Sequence, residues 1–117
     1  MKKVLLTVDG NDIAPRFDLA PEVLVISLSS DPSLEETKTV VLPRPSAEMV
    51  CHVATAENVQ AVICGGIEEE YLQYFSWKRI ELIHSVIGPA EHAVENFRKG
   101  TLKSGDILFE KRKASVT

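Results

Sequence analysis

Apolar positions along the chain fall into short blocks separated by glycine- and proline-bearing stretches, and their period changes midway. Lys3–Val8 and Val23–Leu28 are short, apolar and rich in β-branched residues, which predicts two strands with the turn-forming stretch Gly10–Pro21 between them. Asp31-Pro32 marks a turn within Ser29–Ser33, and Thr37–Leu42 reads as a third strand, giving an opening antiparallel meander. Pro43-Arg44-Pro45 ends it, and Ser46 is placed to cap a helix running to about Glu57. In that helix Met49, Val50, Val53 and Ala54 form the apolar stripe, opposite Glu48, His52 and Thr55.

The second half alternates between strand and helix. Ala61–Cys64 is a continuous apolar run of the kind buried on both faces in a parallel sheet. Gly65-Gly66 leads into a helix opening on Glu68-Glu69-Glu70, acids that suit the positive end of its dipole, with Leu72 and Phe75 inward. Trp77-Lys78-Arg79 returns the chain to a strand over Ile80–Val86. Gly88-Pro89 then opens a last helix with Ala90, Val94 and Phe97 inward and Gly100 as a left-handed cap. Three strands followed by alternating helix and strand predict an α/β protein with a mixed five-stranded sheet between helices.

In such a sheet ligands gather at the carboxyl ends of the parallel strands. If the first, fourth and fifth strands run parallel, Asp9-Gly10-Asn11, Cys64-Gly65-Gly66 and His84-Ser85 leave from one edge. A thiol, an imidazole and two helix N-termini at one edge suit a soft metal and an anionic cluster. Cys64 is either a thiolate ligand, approached closely over Gly65 and Gly66, or a small buried hydrophobe. His84 is either a ligand or a hydrogen-bonded core histidine. Arg16, the single cation of the Gly10–Ala20 loop, either clamps an anion or pairs with Asp12 or Asp18, while Phe17 plugs the loop onto the core. His52 and His92 read as surface residues on polar helix faces. Asp9 lacks the second and third acids that two-metal hydrolysis needs, which disfavours a nuclease.

Bulk composition narrows the partners. At 117 residues, with 44% hydrophobic and 26% charged, the chain fits one domain able to bury its own core. A formal charge of −4 argues against nucleic-acid binding, which needs a basic face. Val4–Val8 is too short for a signal-peptide core and is stopped by Asp9, and no stretch approaches a membrane span, so no membrane partner is expected. Cys51 and Cys64 form neither a disulfide framework nor a zinc motif, which suggests free thiols in a reducing cytoplasm.

The segment Val4–Ile26 has a strand ending in Asp9-Gly10, a loop carrying Ala14-Pro15-Arg16-Phe17 and Ala20-Pro21, and a second strand. Together with Val59–Ile67, an apolar strand entering Gly65-Gly66-Ile67, it resembles the dinitrogenase iron-molybdenum cofactor biosynthesis domain over about residues 3–100. The best matches are Ala14–Phe17 and Gly65–Ile67. The resemblance implies a ribonuclease-H-like three-layer α/β/α fold over residues 1–100, with 101–117 as a partly flexible extension. It further implies a non-enzymatic carrier or chaperone of an iron-sulfur or iron-molybdenum cluster precursor in nitrogen fixation. A cofactor-synthesis or acceptor protein would be its partner. On that reading Asp9, Gly10, Arg16, Cys64, Gly65, Gly66 and His84 hold the cofactor, with Cys64 and His84 as metal ligands. The alternative is a protein-interaction or regulatory module that keeps the fold without a cofactor, which the small number of cysteines and the acidic run Glu68–Glu70 favour. Lys111-Arg112-Lys113 is expected to be a solvated tail.

Overall fold

The computed structural model describes residues 2–108, and among them the chain forms six strands and three α-helices. β1 (Lys2–Asp9) is the axis of the sheet. It pairs antiparallel with β3 (Glu22–Leu28), which in turn pairs antiparallel with β4 (Glu36–Val41), so the meander forms as expected. On its other side β1 pairs parallel with β5 (Ala61–Ile63), and β5 with β6 (Glu81–Ile83). The path is β4-β3-β1-β5-β6, and the two-residue β2 (Asp12–Ile13) folds back on the end of β1.

Period-two alternation along β1 sorts the core into two layers. Val4, Leu6 and Val8 face α3 (Ala90–Arg98) together with Ile26, Ala61, Ile63 and Ala93. Leu5 faces the opposite way, into a cluster with Val23, Val25, Val62 and Phe75 beneath α1 (Ala47–Ala56) and α2 (Glu69–Trp77). The result is a mixed α/β fold with two helices on one face of the sheet and one on the other. No helix among the described residues is long and apolar enough to cross a membrane.

Three expectations need correction. The sheet has six strands rather than five, because Asp9-Gly10-Asn11-Asp12 makes a two-residue turn that returns the chain antiparallel onto β1. The strand expected over Ile80–Val86 is cut to Glu81–Ile83: Arg79 (φ 60°) and Ser85 (φ 58°) adopt the left-handed conformation, which a strand cannot contain. In α1 the buried stripe is Ala47, Val50, Cys51 and Ala54, leaving Met49 exposed, so the helix is rotated by roughly one position toward Cys51. After α3, Leu102 joins the α3-side core and Leu108 donates its amide to the Ile87 carbonyl. Lys111-Arg112-Lys113 lies outside the described residues.

All three helices end in the same way. In α1 the amides of Asn58 (φ 55°) and Val59 bond the carbonyls of Thr55 and Ala54. In α2 those of Arg79 and Ile80 bond Ser76 and Phe75, and in α3 those of Gly100 (φ 75°) and Thr101 bond Phe97 and Asn96. This paired closure satisfies carbonyls the helix leaves open and requires a left-handed residue at the turn. Arginine fills that role at a cost glycine does not incur. Arg79→Gly should therefore raise stability by about 0.5–1 kcal/mol in urea unfolding. Ser46, whose Oγ accepts from the Met49 amide at 3.1 Å, caps the start of α1, and Ser46→Ala should cost about 1 kcal/mol in the same assay.

Two carboxylates tie the layers at the surface. Glu57 accepts from Lys38 (2.7 Å) and Lys3 (3.2 Å), joining α1 to β4 and β1, and Glu35 is gripped by both terminal nitrogens of Arg98 on α3. These partners hold each carboxyl below its ordinary value of 4.5. A carboxyl lowered on folding contributes stability that is present above its ordinary value and is lost as pH falls through the lowered one. Wild type should thus lose more stability between about pH 5 and pH 3 than the Glu35→Gln/Glu57→Gln variant, as read by urea midpoints.

Candidate cofactor-binding edge

The carboxyl ends of β1, β5 and β6 do lie side by side, and the loop from Gly10 to Ala20 is fastened across them. Ala14 donates to the Thr7 carbonyl (2.9 Å), Gly66 donates to the Pro15 carbonyl (2.8 Å), and Phe17 donates to the Gly66 carbonyl (2.8 Å). Phe17 is buried against Tyr71 and Phe75, with ring centroids 5.6 and 5.8 Å away, so it anchors the loop as its isolation among polar residues suggested. β2 ties the same loop to the start of α3: Ile13 donates to the Gly88 carbonyl and Ala90 to the Asn11 carbonyl, both at 2.9 Å. One of the helix amides expected to face a ligand is thereby used by the protein.

Gly65 is glycine for a local reason. A Cβ there would run into the carbonyl oxygen of Ala14 and lie 2.5 Å from that of Pro15. The close approach that the glycine pair permits is therefore to the loop backbone at Gly65, while exposed Gly66 has only ordinary contact with Pro15. Asp9 and Gly10 (φ 65°) are exposed at the β1–β2 turn, and Asp9, Asp12, Pro15 and Ile87 line a hollow of about 310 Å³. Arg16 is exposed and bonds Asp18 with two nitrogens, Nε at 3.0 Å and Nη2 at 2.8 Å, so the pairing alternative holds in this conformation.

Cys64 and His84 are not presented together. Cys64 is fully buried in the layer under α1 and α2, and burial pushes its thiol up to about 12. His84 is half-buried just past β6, its Nδ1 3.0 Å from the Ser85 hydroxyl. If Nδ1 donates that hydrogen bond, Nε2 keeps the lone pair a metal would use. Among the described residues no three His, Cys, Asp or Glu side chains form a group able to hold a metal ion. The edge also contains residues that sequence reasoning passed over. Ser104 Oγ accepts the His84 amide (3.0 Å) and Gly105 donates to the His84 carbonyl (2.9 Å), so the segment after α3 fixes the backbone of this histidine. The Ser104-Gly105 pair is a turn signal that would have flagged it.

A mixed α/β domain whose parallel strands end together under one loop is the class this geometry defines. Residues 1–100 match the family described as "Dinitrogenase iron-molybdenum cofactor", and the chain belongs to that family. Among solved structures it is similar to MJ0327 of Methanococcus jannaschii, for which a dinitrogenase role has been suggested, at 28% identity and TM-score 0.71, covering 88% of this chain and 92% of that one. The apo form of the orange protein from Desulfovibrio gigas shares the fold at 18% identity and TM-score 0.69, over 89% and 92% of the two chains. TM1290 from Thermotoga, assigned to NifB-like proteins, shares it at 13% identity and TM-score 0.66, over 95% and 99%. No curated protein matches the sequence.

The packing of the loop over Gly65 gives a direct test. Gly65→Ala should destabilise by about 1–3 kcal/mol, as forced overpacking does, while Gly66→Ala should cost less than about 1 kcal/mol, both by chemical denaturation. With a thiol near 12, only about one Cys64 in ten thousand is ionised at pH 8, so it should stay unlabelled by a disulfide reagent in the native protein and react fully in denaturant.

Proposed function

We propose that this protein is a non-enzymatic carrier of an iron-sulfur or iron-molybdenum cluster precursor, received at the edge formed by Asp9, Gly10, Arg16, Gly66 and His84. The observation that carries the reading is the loop fastened over Gly65-Gly66, which brings Arg16 and the β6 end to one exposed border in a chain of the cofactor family.

His84 is the first donor in this proposal, because a neutral imidazole ligates without being ionised. Cys64 is the second, and it requires the loop to lift from Gly65-Gly66. Ionising its thiol at pH 7 against a value of about 12 costs roughly 7 kcal/mol, which the metal–sulfur bond must offset. Arg16 would exchange Asp18 for the anionic cluster, a charge-assisted contact of the same kind. A cofactor-synthesis or acceptor protein is the corresponding partner.

The test is anaerobic incubation with iron, sulfide and molybdate, followed by metal analysis and visible spectroscopy. Wild type should gain charge-transfer absorption that His84→Ala lacks and that Cys64→Ala shows at lower affinity with a shifted band. A second reading, an interaction module that keeps the fold without cargo, is favoured by the complete burial of Cys64. Protein that stays colourless and metal-free under every condition would select it.

A further inference from the structure

The helices cover the two faces of the sheet unequally. On one face α1 and α2 lie over both halves, and Val23 and Val25 of β3 are buried there. On the other face α3 is the one helix among the described residues, and its core cluster takes in β1, β2, β5, Ile83 of β6 and the Ile26 and Leu28 side chains of β3. Register places Thr37 opposite Ile26, Thr39 opposite Leu24 and Val41 opposite Glu22, and these six residues share the α3 face. Thr37 and Thr39 are exposed and Val41 is 68% exposed, so β4 carries no covering layer on this face among the described residues, while Ile26 and Leu28 of β3 are buried at the flank of α3. A groove of about 790 Å³ runs between it and α3, floored by Leu24, Ile26 and Thr37 and walled by Ala90 and Val94.

The gap is helix-sized. Neighbouring helices pack about 8–10 Å apart, and two strand spacings of about 4.8 Å carry a helix from above β1 to above β4. The rim is acidic. Asp12 and Glu91 in the groove's lining, and Glu22 beside it on β3, have no ion-pair partner among the described residues, Glu95 meets Arg98 Nε at 3.7 Å, and Arg98 is already neutralised by Glu35. Two copies meeting through this face would set acids against acids, which disfavours self-association here, and an anionic surface is repelled for the same reason.

We infer that this half-covered face is the docking surface for a basic amphipathic helix of a partner protein, which supplies the missing helix beside α3. Its apolar side lies on Leu24, Val41 and the threonines, and its Lys or Arg residues face Asp12, Glu22 and Glu91. This surface goes beyond the carrier reading and does not depend on it.

The test titrates isotope-labelled protein with a synthetic helical peptide of about 14 residues, Leu along one face and Lys on its flanks, and with its Glu-flanked counterpart. The Lys peptide should shift the amides of Leu24, Ile26, Thr39 and Val94 and leave α1 and α2 unmoved. Its affinity should fall about tenfold or more in Thr39→Arg and in Glu91→Lys, and again at roughly 0.5 M salt. The Glu peptide should give no shifts. Each of four results would overturn the inference: shifts spread over α1 and α2, undiminished affinity in both folded variants, the same shifts from spermidine alone, or self-association that Thr39→Arg abolishes in sedimentation. Circular dichroism establishes folding, and Val41→Lys replaces either variant that fails it.

Discussion

The rest of the structure depends on the contact between Gly65 and the backbone of Ala14 and Pro15. Because position 65 has no side chain, the loop after β1 can lie directly on the turn after β5, and two backbone hydrogen bonds then join them. That contact seats Phe17 between α2 and the sheet, aligns β2 with the start of α3, and holds the ends of the parallel strands under one loop. Any side chain at this position would separate the loop from the sheet, and the border assigned to cargo would open with it.

Most of the architecture was legible in the chain because it rests on periodicity. The apolar blocks of β1, β3, β4 and β5 and the helical spacings of α2 and α3 are strong local signals, and the meander followed by alternation leaves few ways to order them. What was missed has short-range causes that hydrophobic pattern does not report. β2 is two residues long and is specified by the Asp9-Gly10-Asn11 turn. The truncation of β6 follows from left-handed Arg79 and Ser85, and neither residue type announces that conformation. Cys51 took the place of Met49 in α1 because a small thiol fits the floor beneath that helix and a long side chain is tolerated outside.

The candidate edge was legible as an address and less so as a chemistry. Sequence brought Asp9, Gly65 and His84 to one border because strand ends coincide in any parallel arrangement. Which way each side chain turns was not readable. Cys64 lies one residue beyond β5, where one step along the chain decides between the α1–α2 layer and the rim, and it falls into the layer. The glycine pair was read as room for a ligand, and the room at Gly65 is taken by the protein itself.

The central position of β1 also bears on how the protein is made. β1, the first of the described strands to be synthesised, is flanked on both sides by strands that come later: β3 arrives within about twenty residues, but β5 is more than fifty residues away. The meander β1-β3-β4 can pair while the rest is still being synthesised, leaving one long edge of β1 open. Only when Ala61–Gly66 emerges is that edge closed and the loop given a surface to lie on. Closing that edge and seating the loop on Gly65-Gly66 are therefore a single late event, and the border proposed for cargo is finished only when β6 and His84 follow, so a nascent chain with an unsealed edge has no such border either.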